Sequence, residues 1–228
     1  MEISPLNLRQ VAIFERATDE DLRVVLQNAY PRNVEECGYF FMQGDRATRV
    51  HILTDGQAKL LQANPAGHQV NLRTIYPWQL FGALGAVRDR ATYPASAQAL
   101  ENSSSLSLDS NFLRKFMESR SHLSWGLMEL MTSYIQEMQS RYRELATEKV
   151  EQRIARVVLR LAAQSGQKAE DGIELGLSRQ DLAEMSGSTL YTVSRVLADW
   201  DRRGLVEAGR EQVKIKKPHD FVRIAEGL

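Results

Sequence analysis

The spacing of apolar and polar residues divides the chain into regions of different predicted structure. The first thirty residues predict short helices, because an acidic cap, TDED at 18–21, precedes apolar residues at helical spacing. From 34 to 108 the chain alternates in short runs, such as YFFMQ, RVHILT and QVNLRTI, separated by turn dipeptides. That alternation is typical of an antiparallel sandwich or roll. The stretch from 111 to 147 contains no proline and one glycine, and it predicts a long helix.

A stripe of apolar residues on this helix follows the alternating three-and-four spacing of a coiled coil. Its members, here called the seam, are Met128, Met131, Ile135, Met138, Tyr142 and Leu145. Such a stripe needs an apolar partner, so two interpretations are open: the seam packs on the chain's own β domain, or it pairs with a second copy of the helix. We expect a two-fold homodimer, in which the methionines make the seam adaptable.

The segment 177–200, LSRQDLAEMSGSTLYTVSRVLADW, predicts two short helices joined by a tight turn. Ser178 is a good N-cap for the first helix, and Asp181 completes the pattern of a serine followed three residues later by an acid. Gly187 suits the left-handed conformation that ends the first helix. Ser188 or Thr189 can cap the second helix.

The second helix of this segment has two opposite faces. One face is apolar and comprises Leu190, Val193, Leu197 and Trp200, and the other comprises Tyr191, Arg195, Ala198 and Arg202. We expect the apolar face to be buried and the other face to be exposed to solvent.

Two short helices joined by a glycine-containing turn are typical of a helix-turn-helix, whose second helix enters the major groove of DNA. The residues expected to contact bases are Ser188, Thr189, Tyr191, Ser194 and Arg195. The residues expected to contact phosphates, on both helices and the following hairpin, are Ser178, Arg179, Gln180, Thr192, Arg210, Lys214 and Lys216. The alternative is an ordinary pair of amphipathic helices stacked in a core.

The formal net charge is zero, with 29 basic and 29 acidic residues, so any surface for a polyanion must be local. The segment 202–217, here called the basic segment, predicts two short strands joined by a turn. Its charged residues are the basic Arg202, Arg203, Arg210, Lys214, Lys216 and Lys217 and the acidic Glu207 and Glu211. We therefore expect a local positive surface there.

The patterns of common catalytic and metal sites are absent from the sequence. It has no glycine-rich phosphate loop, no His-Glu-x-x-His and no Gly-x-Ser-x-Gly, and its four histidines do not form a ligand spacing, so we expect neither an enzyme nor a metal site. The single cysteine, Cys37, excludes a disulfide within the chain and a four-thiolate iron-sulfur cluster. No apolar run approaches a membrane span, and the N-terminus is not a signal peptide, so we expect a cytoplasmic protein.

Three stretches of the chain together carry a family resemblance. Residues 44–87, which run from GDRATRVHIL to LFGALGAV, resemble the β-roll of the CRP/FNR superfamily of transcription regulators. TEKVEQRIARVVLRLA, residues 147–162, resembles the start of the superfamily's DNA-binding domain. LSRQDLAEMSGSTLYTVSRVL, residues 177–197, resembles its winged helix-turn-helix.

The resemblance implies an α+β fold in three parts. These are a cyclic-nucleotide-binding-like antiparallel β-roll of the jelly-roll kind over 1–110, a central dimerisation helix over 111–147, and a winged helix-turn-helix domain over 148–228. It also implies a homodimer that reads palindromic double-stranded DNA, a small-molecule effector sensed by the β-roll and, for an activator, contact with RNA polymerase. The alternative is a ligand-binding or interaction module that no longer binds DNA.

The chain departs from the family pattern at the residues that would bind the effector. Members that bind cyclic nucleotides carry Phe-Gly-Glu, whose carboxylate holds the ribose, and an arginine about twelve residues after the phenylalanine, which holds the phosphate. Here these positions are Ala83 and Tyr93, so we expect no binding of cyclic AMP in that manner. Arg88 or Arg90 could supply the missing positive charge. The candidate pocket residues for an effector are Phe81, Gly82, Ala83, Arg88, Arg90 and Tyr93.

Two cofactor classes occur among the relatives. Those that hold an iron-sulfur cluster use clustered N-terminal cysteines, which this chain lacks. Others bind haem and sense gases, and the possible axial ligands here are His51, His68, Cys37 and methionines. His51 lies in an apolar strand and is more simply a core residue, and His68 follows a turn and is more simply a loop tip. We expect no cofactor, with haem-dependent sensing of nitric oxide or redox state as the alternative.

Tyr191 occupies the position at which well-known members of the superfamily have a glutamate that accepts a hydrogen bond from cytosine N4. A neutral tyrosine cannot replace that anionic acceptor, but it can stack against a thymine methyl group or reach a phosphate through its hydroxyl. We expect Ser194 and Arg195 to keep a superfamily-like outer half-site. At the base pair that faces Tyr191, we expect a base preference different from that of the members with glutamate.

Overall fold

The structure is a computed structural model that describes residues 3–63, 69–169, 171–209 and 211–227. The chain forms two compact units, Met1–Glu137 and Met138–Leu228. Across the described residues, no helix combines the length and the apolarity needed to cross a membrane.

The first unit contains two four-stranded antiparallel sheets and the helices that flank them. Its helices are α1 (Pro5–Leu8), α2 (Asp19–Gln27), α3 (Leu84–Val87), α4 (Ser110–Glu118) and the first part of α5 (Ser121–Thr147), with a 3-10 turn at Ala12–Phe14. Its strands are β1 (Ala29–Val34), β2 (Tyr39–Phe41), β3 (Arg49–Asp55), β4 (Ala58–Ala63), β5 (Gln69–Ile75), β6 (Leu80–Phe81), β7 (Ser96–Ala99) and β8 (Ser103–Asp109). The strand orders are β1-β8-β3-β6 and β2-β7-β4-β5. The α+β fold class with an antiparallel β core is confirmed.

Two apolar clusters hold this unit together. One lies between the sheets and includes Phe41, Leu53 and Phe81, and the other packs the β1-β8-β3-β6 sheet against helical residues such as Phe14 and Leu22. The first strand begins at Ala29, earlier than the alternating pattern indicates, and it contains Pro31. The sheet tolerates this proline because β1 is an edge strand.

The stretch predicted as one helix over 111–147 is divided into α4 and α5. The carboxylate of Asp109 caps α4 by accepting hydrogen bonds from the backbone N–H groups of Asn111 and Phe112, so this helix begins at Ser110. The helix breaks at Ser119 and Arg120, where the Arg120 guanidinium turns to the carboxylate of Asp21 at 2.5 Å. A pattern of helical spacing does not reveal this break, because it depends on an ion pair with a residue far away in the sequence.

One face of α5 packs on the β-rich unit. Leu123 is buried there, and Gly126 approaches the chain so closely that an added Cβ would lie 2.9 Å from the carbonyl oxygen of Ile13. The Tyr134 hydroxyl donates to the carbonyl oxygen of Leu80 at 3.4 Å, and the Arg73 guanidinium lies 4.0 Å from the centre of the Tyr134 ring. The seam lies on another face of the helix.

The six seam side chains are 45 to 74% exposed. Met128, Met131 and Ile135 belong to the same compact unit as the two sheets, yet they do not pack on them. For these three residues, the interpretation that the seam packs on the chain's own β domain is wrong.

The second unit combines helices with one four-stranded antiparallel sheet. Besides the end of α5, its helices are α6 (Val150–Ser165), α7 (Arg179–Ser186), α8 (Leu190–Arg202) and α9 (Pro218–Glu226). Its strands are β9 (Gln167–Ala169), β10 (Gly172–Gly176), β11 (Val206–Ala208) and β12 (Gln212–Ile215), in the order β11-β12-β10-β9. The predicted hairpin after α8 is confirmed as β11 and β12.

The strands β9 and β10 are not among the elements predicted from the sequence, and β9 falls in the polar run QSGQKAEDG at 164–172. β10 forms through pairing with β12, in which Ile173 lies opposite Ile215 and Leu175 lies opposite Val213, and β9 pairs with the other edge of β10. Each of these pairs joins side chains that are about forty residues apart. Sheet formation here therefore depends on a distant strand, and local composition does not predict it.

Candidate nucleic-acid interface

The two-helix segment has the caps and the turn that the sequence predicts. Ser178 caps α7 by accepting a hydrogen bond from the backbone N–H of Asp181 at 3.0 Å. Gly187 ends α7 in the left-handed conformation with φ of 61°. Thr189 then caps α8 by accepting from the backbone N–H of Thr192 at 3.2 Å. Ser178, Gly187 and Thr189 thus have the predicted local roles.

The second helix is held in place by buried contacts with α6 and α9. Val193, Leu197 and Trp200 are fully buried, as the apolar face predicts. The indole N–H of Trp200 donates to a carboxylate oxygen of Glu151 at 2.9 Å, and its ring meets Phe221 edge-on at 4.7 Å. These contacts set the orientation of α8 within this unit.

The outward face of α8 carries the residues expected there, with one addition. Tyr191 is 77% exposed, and Arg195, Ala198 and Arg202 are exposed as predicted. Leu190, which was expected in the buried face, is 49% exposed. It is the first residue of the helix and lies at the edge of the apolar stripe, so no preceding helical turn covers it. Sequence reasoning missed Leu190 as a surface residue.

Several predicted DNA-contacting side chains are already engaged with neighbouring groups. The hydroxyls of Thr189 and Thr192 are 2.9 Å apart and hydrogen-bonded to each other. The Gln180 amide donates to Glu184 at 2.9 Å, and Ser188 reaches back to the carbonyl oxygen of Ser186 at 3.5 Å. Ser194 is partly buried on α8.

Two arginines of the helix-turn-helix remain free to bind a ligand. Arg179 and Arg195 are exposed, and within the ranges that the structure describes no hydrogen bond or ion pair engages either guanidinium. Arg195 points from the same outward face as Tyr191. The two arginines therefore present positive charge at the start of α7 and in the middle of α8.

The expected positive surface of the basic segment is largely neutralised. Lys214 forms ion pairs with Asp171 and, at 3.6 Å, with Glu174, and the hydrogen bond between Lys214 and Asp171 lowers the pKa of the acid and raises that of the lysine. Lys216 pairs with Glu207 at 3.1 Å. Glu174 lies on β10 and Asp171 directly precedes that strand, so a count of the charges within 202–217 overestimates the local positive charge.

The two arginines of the basic segment that the structure describes, Arg202 and Arg203, are also paired. Arg202 lies 2.9 Å from Asp199, and Arg203 lies 3.4 Å from Asp199 and 3.5 Å from Glu151. Arg210, the remaining predicted phosphate contact, lies outside the described residues. The arginines outside this segment, Arg179 and Arg195, are therefore the stronger candidates for contacts with a polyanion.

Each of the two compact units contains a stretch that matches a protein-family model. The family model of the Crp-like helix-turn-helix domain matches residues 152–224, and that of the cyclic nucleotide-binding domain matches residues 31–120. The chain belongs to the CRP/FNR family of transcription regulators. The matched helix-turn-helix contains α7 and α8 and the hairpin that follows, so this CRP/FNR regulator has a helix-turn-helix DNA-binding domain.

Individual relatives of this CRP/FNR regulator are transcription regulators and not enzymes. It is 29% identical to the transcriptional activator protein anr of Pseudomonas aeruginosa, over 86% of this chain and 80% of that protein. It is 22% identical to the CRP-like cAMP-activated global transcriptional regulator of Mycobacterium tuberculosis, over 96% of this chain and 98% of that protein. The solved structure of CLP, a c-di-GMP-responsive global regulator of Xanthomonas campestris, has the same fold, with a TM-score of 0.79, 17% identity and coverage of 87% of this chain and 99% of that one.

Inside the β domain of this CRP/FNR regulator, part of the predicted effector pocket is packed with aromatic rings. Tyr93 is buried, its ring stacks on Phe41 at 3.8 Å, and its hydroxyl donates to the carbonyl oxygen of Arg49 at 2.6 Å. Gly82 has a φ of 73°, and a Cβ added there would lie 2.9 Å from the Phe41 ring and 3.3 Å from the Tyr93 ring. Phe81 is buried in the same cluster.

The other predicted pocket residues lie apart from this cluster. Ala83 is half-buried and precedes α3, whereas Arg88 and Arg90 are exposed after it. The guanidinium of Arg90 is 4.0 Å from Asp89. Both arginine side chains are exposed to solvent outside the aromatic cluster, and a role of Arg88 or Arg90 in binding an anionic effector stays a prediction.

His51, on β3, lies among the buried aromatic rings of the β domain, as predicted by its interpretation as a core residue. It is buried, its ring stacks on Phe81 at 5.2 Å, and its Nδ1 is 3.4 Å from the Ser105 hydroxyl. Burial, with smaller contributions from Arg32 and Arg49, lowers the pKa of His51 to about 3. Cys37 is exposed, and His68 lies outside the described residues.

This buried histidine makes the stability of the β domain depend on pH. In the unfolded chain His51 takes up a proton near its ordinary pKa of 6.5, whereas the folded chain does so only near pH 3. The free energy of unfolding should therefore fall by about 2 kcal/mol between pH 7 and pH 5 through His51 alone. Urea denaturation at several pH values measures this slope.

The matched variant is His51→Phe, which keeps an aromatic ring but cannot bind a proton. The other titrating groups change the stability of both proteins equally with pH, so their contributions cancel when the two pH dependences are subtracted. If the two proteins lose the same stability between pH 7 and pH 5, the neutral buried state of His51 is refuted.

Proposed function

We propose that this CRP/FNR regulator acts in the cytoplasm as a homodimer that binds a two-fold symmetric DNA site and responds to an effector other than cyclic AMP. The observation that carries the DNA-binding part is that Arg195, on the N-terminal half of α8, is exposed on the same face as Tyr191 and has no ion-pair partner among the described residues. In a helix-turn-helix this half of the second helix enters the major groove. We therefore call α8 the recognition helix.

The proposed contacts divide into those that specify bases and those that position the protein. Arg195 can donate two hydrogen bonds to guanine O6 and N7, and Ser194 can contact the neighbouring base. Arg179, at the start of α7, is suited to a phosphate because its charge is not neutralised by a described neighbour. Thr189 and Thr192 act mainly by capping the recognition helix, since their hydroxyls bond to each other.

Substitution of the two free arginines tests this division of roles. Arg195→Ala should weaken binding to the best duplex selected from a random pool by about 1 to 3 kcal/mol and relax the preference at one base pair. Arg179→Ala should weaken binding to all sequences similarly and reduce the dependence on salt by about one counterion. Fluorescence anisotropy at several salt concentrations distinguishes the two results.

The control is Arg202→Ala on the same helix, because Arg202 is paired with Asp199 at 2.9 Å and should affect binding less. If neither Arg195→Ala nor Arg179→Ala changes affinity for any DNA, the interaction-module alternative is favoured instead.

The homodimer is supported by the exposed seam on α5. Six apolar side chains at coiled-coil spacing, all at least 45% exposed, form a surface that a second copy of the helix would bury. A two-fold pair would present two recognition helices to successive turns of one face of the duplex. Such a dimer reads a palindrome, because the symmetry of the site mirrors that of the protein.

The effector proposal is supported by the aromatic packing in the β domain. In the cyclic-nucleotide-binding members the positions of Ala83 and Tyr93 carry the carboxylate and the arginine that hold ribose and phosphate. Here Tyr93 is buried against Phe41 and offers no positive charge to a phosphate. Isothermal titration with cyclic AMP should therefore show no binding at micromolar concentration, and binding in that range would refute the proposal.

Two further parts of the proposal follow from the family alone. If the protein activates transcription, RNA polymerase is its partner. A haem-dependent sensor is the second candidate, with His51, Cys37 and methionines as the described residues among the predicted axial ligands. A Soret shift on titration with haemin would favour that candidate.

A further inference from the structure

The recognition helix presents two large apolar side chains at the end expected to enter DNA. Leu190 is 49% exposed and Tyr191 is 77% exposed, whereas Val193 and Leu197 on the same helix are fully buried. Leu190 is the first residue of α8, and Tyr191 follows it. The two side chains point in directions about 100° apart around the helix axis, and both are exposed to solvent at its first turn; together they are here called the apolar tip.

Polar groups around the apolar tip are directed elsewhere. The hydroxyls of Thr189 and Thr192 are paired at 2.9 Å, and the Thr189 hydroxyl also accepts from the backbone N–H of Thr192. The Ser188 hydroxyl reaches back to the carbonyl oxygen of Ser186. What this end of the helix offers to a base edge is therefore the hydrocarbon of Leu190 and the ring of Tyr191, whose hydroxyl lies at the far end of the ring, with Ser194 and Arg195 one turn further along.

An apolar side chain pressed against a base edge is favourable only where the edge is itself apolar. A leucine set against an amino group or carbonyl of a base leaves that group without a hydrogen-bond partner, which is costly. In the major groove the apolar feature of the natural bases is the C5 methyl group of thymine. Cytosine methylated at C5 presents the same methyl group in an equivalent place.

We infer that Leu190 and Tyr191 select a pyrimidine that carries a C5 methyl group, so that the protein binds thymine or 5-methylcytosine in preference to the unmethylated base. The inference rests on the proposed function and extends it by naming the base feature that the apolar tip recognises. It assigns a specificity role to Leu190, and it makes DNA binding sensitive to cytosine methylation at the contacted step.

The experiment removes and adds the methyl group without changing the hydrogen-bonding groups of the base. The probe is the best duplex selected from a random pool, measured with the full-length protein by fluorescence anisotropy. Each thymine of the half-site is replaced in turn by deoxyuridine, in both half-sites together. The affected position is then rebuilt as cytosine and as 5-methylcytosine, each paired with guanine.

Loss of one buried methyl group should lower affinity about threefold to fivefold per half-site. We expect that loss for deoxyuridine at one or two positions, and a similar gain for 5-methylcytosine over cytosine at the same positions. Leu190→Ala and Tyr191→Ala should each bring these ratios closer to one. Alanine favours helix, and an unchanged circular dichroism spectrum verifies that α8 is retained.

Arg195→Ala is the matched control, because it removes a neighbouring base contact that is not a methyl contact. It should weaken binding to all the duplexes and leave the ratio between thymine and deoxyuridine unchanged. If specific binding occurs but deoxyuridine is tolerated at every position, or if Leu190→Ala and Tyr191→Ala leave the ratios intact, the methyl inference is overturned while the proposed function stands. If no duplex is enriched from the random pool, the proposed function fails, and the inference fails with it.

Discussion

Replacing Ile135 by glutamate should separate the proposed dimer into monomers and weaken binding to the selected palindrome by about a hundredfold. Ile135 lies in the middle of the seam and is 53% exposed in the single chain. In a two-fold pair each glutamate would face its counterpart near the symmetry axis, in surroundings that Met131 and Met138 make apolar. Two like charges brought together without water cost several kcal/mol.

Sedimentation measures the change in association, and anisotropy measures the loss of DNA binding. Gln136→Glu is the matched control, since it adds the same charge at an exposed position of the same helix that is not part of the seam. This control should remain dimeric and bind DNA with nearly unchanged affinity. A dimeric Ile135→Glu variant would show that the seam is not the dimer contact.

The second large effect is expected at Asp21, which joins α2 to the break between α4 and α5. Its buried carboxylate accepts hydrogen bonds from the Arg120 guanidinium at 2.5 Å and from His122 at 2.9 Å. It also accepts from the backbone N–H of Thr18 at 3.0 Å and from the Thr18 hydroxyl at 2.8 Å, and so completes the cap of α2. Burial by itself would raise the pKa of Asp21, but these hydrogen bonds from Thr18, Arg120 and His122 lower it well below its usual range.

Asp21→Asn should lower the free energy of unfolding by about 3 to 5 kcal/mol, because it leaves the Arg120 charge without its buried partner. Since the pKa of Asp21 is lowered, this stabilisation is present above the ordinary value of 3.8 and is lost only in stronger acid. Chemical denaturation at neutral pH therefore measures the full effect. The loss of stability should appear in the unfolding transition of the β-rich unit.

Asp19→Asn is the control for this substitution. Asp19 also lies in the first turn of α2 and pairs with Arg9 at 2.6 Å, but its side chain is 70% exposed. Its loss should cost no more than about 1 kcal/mol. Equal losses for the two variants would mean that Asp21 acts only as a charge at the start of the helix.

Much of the candidate site is predictable from local sequence. The caps at Ser178 and Thr189 and the left-handed turn at Gly187 involve residues within a few positions of each other, so a short pattern contains all the information they need. The buried face of α8 follows from helical periodicity, with one error at Leu190. That error arises because periodicity gives a direction around the helix and does not say whether anything covers its first turn.

The environment of charged and buried groups required the tertiary structure. Lys214 is neutralised by Asp171, a residue forty-three positions earlier, because β10 and β12 are neighbours in the sheet. Tyr93 departs from the family pattern visibly in the sequence, yet only the fold shows that its ring stacks on Phe41. Likewise, no local pattern indicates that Asp21 meets Arg120.

By itself, the sequence determined the periodic strands, the helix caps, the seam and the helix-turn-helix, since each depends on residues that are close along the chain. The tertiary structure decided which charges remain unpaired, where α4 ends and α5 begins, and that Leu190 reaches the surface beside Tyr191. The exposure of Leu190 follows from its position in the first turn of α8. The pairing of charges and the boundary between α4 and α5 depend on contacts between segments that are distant along the chain. Spacing along the chain does not encode such contacts.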